Sequence, residues 1–187
     1  MTATTTTALP AGVRPGTWEI ETSHSSASFS VRHAGISKVR GMIAITGGRI
    51  VIGDDLATST VEATLDPATV DTRDERRDGH LRSADFFETE TYPTWEFRST
   101  GIRADGDDYV IDGELTAHGV TRPVALRTEF NGAATDPFGV ARLGASATTT
   151  ISRKEFGLTW NAALETGGVL VGDTITISLD IEAVAAA

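Results

Sequence analysis

Along most of this chain, apolar and polar residues alternate at period two, the pattern of strands with one buried face. Phe29, Val31 and His33 point one way, and Ser28, Ser30 and Arg32 the other. Val39, Gly41, Ile43 and Ile45 continue it, and residues 49–52 extend it. Val61, Ala63 and Leu65 alternate with Glu62 and Thr64, and Trp95 and Phe97 with Glu96 and Arg98. Tyr109, Ile111, Gly113 and Leu115 form another set, and Val124, Leu126 and Phe130 another. Residues 138–152 read as a long strand of small residues. The final run, Ile175, Ile177, Leu179 and Ile181, is the most regular. Turn residues separate the runs: Gly47-Gly48, Gly53-Asp54-Asp55, Asp105-Gly106-Asp107, Asn131-Gly132 and Gly167-Gly168.

The pattern predicts an all-β protein of about eight strands. Short connections make sequential strands antiparallel neighbours. Closing the sheet into a barrel removes its edges. An eight-stranded barrel is either filled by side chains or holds one small ligand. Small residues at Ala63, Gly113, Ala117, Ala145 and Ala147 favour a cavity, whereas the Trp and Phe residues could fill the same space. Both architectures fit the pattern.

Only residues 72–84 break the strand period. Thr72 and Glu75 have capping-box spacing, which predicts a short helix with Thr72 as N-cap. Ala84, Phe86 and Phe87 follow as an apolar anchor, and a second helical turn fits near residues 154–159. His80 lies mid-helix with Asp78 and Asp85 nearby. A metal centre needs several ligands at compatible spacing. His24, His33, His80 and His118 are scattered, so no metal site is expected. No G-x-S-x-G elbow is present, and no carboxylate pair sits in an apolar context that would raise a pKa. The residues around His80 read as helix-orienting rather than catalytic.

Composition narrows the partners. The 187 residues suit one domain, read as 16–184 between a flexible lead at 1–15 and a frayed tail at 185–187. The net charge of −10 disfavours nucleic acid and stable docking on an anionic bilayer. The absence of cysteine excludes disulfides and thiolate chemistry. No apolar stretch approaches the length of a membrane span, and the first residues lack the pattern of an export signal. A cytoplasmic protein is the expectation, and a homodimer is compatible with it.

Four segments, HSSASFSVRHAGISKVRG (24–41), RDGHLRSADFFETETYPTWEF (77–97), LTAHGVTRPV (115–124) and ISRKEFGLTWN (151–161), resemble in order the YceI-like proteins. The resemblance implies an extended lipocalin-like barrel around a long apolar tunnel. Its cargo would be a polyisoprenoid, isoprenoid quinone or similar amphiphile, with no catalytic activity and no cofactor beyond that lipid. Phe29, Val31, Ile43, Phe86, Phe87, Phe97, Leu115, Phe156 and Trp160 become candidates for apolar contact. His33, His80, His118 and Arg153 become candidates for a head group or the mouth. Each has a plainer reading. Phe156 and Trp160 suit the core, and His118 suits a turn. Arg153 suits an ion pair with an acidic neighbour, and His80 suits a helix held by carboxylates. Two other functions stay open: an enzyme acting on a lipid-like substrate near His80 or His118, and a stress-related interaction module with a filled barrel.

Overall fold

The computed structural model describes residues 8–186, so residues 1–7 of the expected lead and Ala187 of the expected tail lie outside it. The strands are β1 (Gly16–Ile20), β2 (Ser26–His33), β3 (Ser37–Ile52), β4 (Thr60–Asp71), β5 (Trp95–Asp105), β6 (Asp108–Ala117), β7 (Val120–Thr135), β8 (Ala141–Ser152) and β9 (Val171–Ala185). One helix, α1 (Glu75–Arg82), interrupts them between β4 and β5. Three 3-10 turns lie at Thr22–His24, Leu56–Thr58 and Arg153–Phe156. The last corresponds to the helical turn expected at 154–159. The other two carry no period and are invisible in the pattern.

Every strand pairing is antiparallel. The order runs β3-β2-β9-β8-β7-β6-β5-β4, and β4 pairs back onto β3 to close an eight-stranded ring. The ninth strand does not widen it. β1 pairs with the same two neighbours as β2, at Arg49–Ile52 of β3 and Ala183–Ala185 of β9. β1 and β2 therefore share one slot, broken at residues 21–25. At the break Glu21 N donates to Glu182 O, Ser25 Oγ donates to the same carbonyl, and Glu182 N donates to Ser25 Oγ. The lost ladder bonds are thus replaced locally, as buried backbone requires.

Because the chain is an up-and-down meander, alternate turns collect at opposite ends. One end holds the β2–β3 turn, α1, the β6–β7 turn and the β8–β9 connection; the other holds the β3–β4, β5–β6 and β7–β8 turns. The β6–β7 turn has only His118 and Gly119 outside the Ala117–Val120 pair. Both have positive φ, 52° and 71°, as a two-residue hairpin turn of primed type demands. His118 is therefore a turn residue.

Three sequence expectations shift. The strand expected from residue 138 begins at Ala141, because 136–140 form a turn in which Asp136 Oδ1 accepts from Phe138 N and Val140 N. The tail expected to fray is still paired at Ala185, and Ala186 N donates to Thr17 O. The N-cap of α1 is Asp74, whose side chain accepts from Arg77 N, rather than Thr72. Thr72 lies two residues too early. Its amide and hydroxyl donate instead to Asp78 Oδ1 at 2.9 and 2.5 Å, while Arg77 donates to the Thr72 hydroxyl and carbonyl.

Thr72 and Asp78 are both buried, so this knot ties α1 to the end of β4. An α1 of eight residues has too few turns to be stable alone. Replacement of Asp78 by Ala leaves the Thr72 donors unpaired in a buried site, and is expected to cost about 2–3 kcal/mol in urea unfolding. An unchanged midpoint would show that α1 is held by its apolar contacts alone.

Candidate functional site

The inward faces of the strands enclose an apolar cavity of about 240 Å³. Its wall follows β9 from Val171 to Ile181, a run of roughly 33 Å at strand spacing, so the cavity is elongated along the barrel. It is far larger than the ~10–15 Å³ that one water needs. Only Ser28, Thr128, Thr149 and Arg153 bring polar side chains to the lining. The Ser28 and Thr128 hydroxyls are turned to the Ser178 and Leu126 carbonyls, which leaves the wall apolar.

Packed clusters shape its two ends. Ile43, Val70, Phe86, Phe87, Ala117, Phe156 and Leu158 pack at the helix end. Trp18, Leu143 and Ala183 pack beyond the cavity at the opposite end, and Trp18 is outside the lining. Large aromatic residues line the tunnel without filling it, because two of them lie over glycines. Phe29 faces Gly41 across the β2–β3 ladder, and a Cβ on Gly41 would sit 2.5 Å from Phe29 Cζ. A Cβ on Gly113 would likewise collide with the Phe97 ring. These rings fold against the wall where a glycine leaves room, which is how small and large residues together keep space open.

Among the candidates read from the sequence, Phe29, Val31, Ile43, Phe86, Phe87, Phe97, Leu115, Arg153 and Phe156 line the cavity. His33, His80, His118 and Trp160 do not. His33 ends β2. His80 Nε2 lies 2.8 Å from Asp85 Oδ2, and its ring stands edge-on to Phe86 and Trp160 at 5.1 and 4.7 Å. It therefore joins α1 to the aromatic anchor and to the segment after residue 157. Trp160 packs against the helix-end core. His118 Nδ1 lies 2.9 Å from Phe156 O, so that nitrogen carries the proton. Its Nε2 is buried without a hydrogen-bond partner, 3.7 Å from Glu88. Sequence reasoning missed Leu81, Trp95, Leu158 and Ile151 of the lining. Ile151 and Trp95 belong to the same alternation as their neighbours. Leu81 and Leu158 lie in the helix and a turn, where no strand period points inward.

Arg153 corrects an expectation. Among the described residues it forms no ion pair with an acidic neighbour. Although 2 % exposed, it donates to four carbonyls, those of Gly172, Leu158, Trp160 and Val171. Asp173, the nearby acid, accepts from Ser152 Oγ and Lys154 N. Burial pulls the guanidinium below its usual pKa, with Asp173 opposing from a distance. The segment 157–172 has little regular structure, and one buried cation solvates its carbonyls.

At the strand break lies the densest ionic group among the described residues. Arg142 donates to Asp136, Glu21 and Glu182, and His24 Nδ1 lies 2.6 Å from Glu21 Oε2. Glu21, His24 and Glu182 bring three ligand-type atoms together, but Arg142 already occupies an oxygen of each carboxylate. The hydrogen bond to His24, and then that to Arg142, hold the Glu21 carboxyl below its usual range; Glu21 raises His24.

Two outcomes follow. Arg153→Ala strips donors from four carbonyls and is expected to cost about 3 kcal/mol. Arg153→Lys supplies a point charge rather than a planar fork and should recover little of that in the same unfolding assay. For His24, a raised folded pKa means stabilisation that is complete below pH about 6.5 and lost as pH rises through the folded value. The melting-temperature gap between wild type and His24→Ala should therefore close with rising pH and with salt. A gap that widens with pH would contradict the Glu21 contact.

The family model for the YceI-like domain matches residues 18–183. The UPF0312 protein of Staphylococcus aureus strain N315 is 33% identical over 165 residues, covering 85% of this chain and 92% of its own. Among solved structures, the YCEI protein of Campylobacter jejuni superposes with a TM-score of 0.66 at 28% identity, covering 83% of this chain and 90% of its own. A polyisoprenoid binding domain from Saccharophagus degradans has the same fold, with a TM-score of 0.68 at 16% identity over 90% of this chain and 98% of its own.

Proposed function

Since this chain belongs to the YceI-like family, we propose that its barrel binds, stores or carries one long apolar amphiphile, a polyisoprenoid, isoprenoid quinone or similar lipid, without catalysing a reaction. The observation that carries this reading is the elongated apolar cavity of about 240 Å³. At ~24 cal/mol per Å³, leaving it empty costs on the order of 6 kcal/mol. That is a large part of the ~5–15 kcal/mol by which a domain is stable. A chain that fills the space recovers this and adds ~0.8 kcal/mol per buried CH₂, less the cost of ordering the lipid.

The histidines support the non-catalytic reading. His80 and His118 lie outside the lining and are engaged with Asp85 and with the Phe156 carbonyl. The fold match to a polyisoprenoid binding domain points to the same ligand class.

Organic extraction of the purified protein followed by mass spectrometry is expected to release a long-chain lipid. Added isoprenoid should raise the melting temperature of the delipidated protein. Ala147→Phe fills the middle of the tunnel from a buried lining position. It should reduce isoprenoid uptake at least tenfold, or about 1.4 kcal/mol, while the protein stays folded. Empty extracts together with no uptake would exclude a carrier.

A further inference from the structure

The net charge of −10 is not spread evenly. Residues 32–40, RHAGISKVR, form the β2–β3 hairpin at the helix end and contain three cations and no carboxylate. Arg32 stands directly opposite Lys38, and Arg40 lies two residues further along the same face. All three are exposed, and none joins an ion pair among the described residues. The flanking strands bring Asp71 and Asp173 to the edge of this patch, each held by local donors, Arg73 N and Ser152 Oγ with Lys154 N, rather than by the hairpin cations. Like charges directly opposite one another weaken a sheet, so strand pairing gives no reason for this arrangement.

The hairpin tip is apolar. Ile36 is 85 % exposed. Beside it is the loop Gly167-Gly168-Val169, with Val169 52 % exposed; Ala34 N donates to Leu170 O at 2.7 Å and joins the two tips. The opposite end also shows a large apolar residue, Phe138, 90 % exposed, but its turns are acidic: Asp54, Asp55, Asp105, Asp107, Asp108 and Asp136.

We propose that the helix end docks peripherally on an anionic lipid bilayer, with Ile36 and Val169 entering the head-group boundary and Arg32, Lys38 and Arg40 facing the lipid charges. Neither element suffices alone; a small apolar insertion and a basic patch together give reversible attachment. The chain's overall negative charge does not prevent this. The acidic turns 54–55, 105–108 and 136 lie at the far end of β3, whose 16 residues span roughly 50 Å. Their repulsion is screened within about 8–10 Å at ordinary ionic strength. The acids around α1, Asp74, Glu75, Asp85, Glu88 and Glu90, are interleaved with Arg73, Arg76, Arg77 and Arg82, so that the cations without interleaved acids concentrate on the hairpin. If the barrel carries lipid, docking brings the Phe86–Phe87 end of the cavity to the bilayer. That consequence rests on the carrier reading, whereas the docking itself does not.

Flotation of the full chain with equimolar phosphatidylglycerol–phosphatidylcholine vesicles tests the proposal. Binding is expected at low ionic strength, with loss in about 0.5 M salt and none to phosphatidylcholine alone. Ile36→Asp, and Lys38→Glu with Arg40→Glu, should weaken binding about tenfold or more, and Phe138→Asp should leave it unchanged. These exposed positions permit folding, which melting temperature and retained lipid would verify independently of docking. The proposal is overturned if wild type does not float with anionic vesicles, or if Phe138→Asp matches Ile36→Asp. It is equally overturned if sedimentation shows Ile36 buried by a second copy, with self-association that Ile36→Asp abolishes.

Discussion

Closure of the eight-strand ring is the constraint on which the cavity depends. The β3–β4 pairing joins the two ends of the strand order, and without it both would be open edges. Closure fixes which face of every strand points inward, and a one-residue slip in any ladder would turn apolar side chains to water. The broken β1–β2 slot shows how strict this is. The chain leaves the ladder at residues 21–25, yet Ser25 and Glu21 restore its hydrogen bonds to Glu182 before β2 resumes.

A closed ring is not automatically hollow. Hollowness here comes from pairing aromatic residues with glycines, so that Phe29 and Phe97 lie along the wall. It also requires bulk at the ends. Phe86, Phe87, Phe156 and Leu158 supply it near α1, and Trp18 and Leu143 beyond the opposite limit. The polar elements of the helix end serve that packing. The Thr72–Asp78–Arg77 knot holds α1, His80 joins it to Trp160, and Arg153 solvates four carbonyls of the segment that follows. The charges of Asp78, Arg77 and Arg153 are thereby engaged in holding the helix end together, while His118 Nε2 stays buried without a partner.

Electrostatics at the two ends differ in kind. At the strand break, three carboxylates surround the single guanidinium of Arg142, and the group stays net negative. On the β2–β3 hairpin, cations stand together around an exposed Ile36. A net charge averages over both and describes neither. Screening over the length of a 16-residue strand makes the local patch the relevant quantity for anything that touches one end.

The sequence by itself determined eight of the nine strands, their inward faces and much of the lining, while the short β1 was missed. Period two is local, and burial on one face is what imposes it: Phe29, Ile43, Phe97 and Leu115 were legible for that reason. The insertion of α1 was legible too, because a helix breaks the period. Its cap was not, since Thr72 and Asp74 both have capping side chains and only the contact with buried Asp78 decides between them. Tertiary structure alone settled whether the barrel is hollow or filled, because that depends on Phe29 lying over Gly41 across a ladder. It also decided the partners of Arg153, four carbonyls rather than an acid, since a cation goes to whichever acceptors folding leaves unpaired.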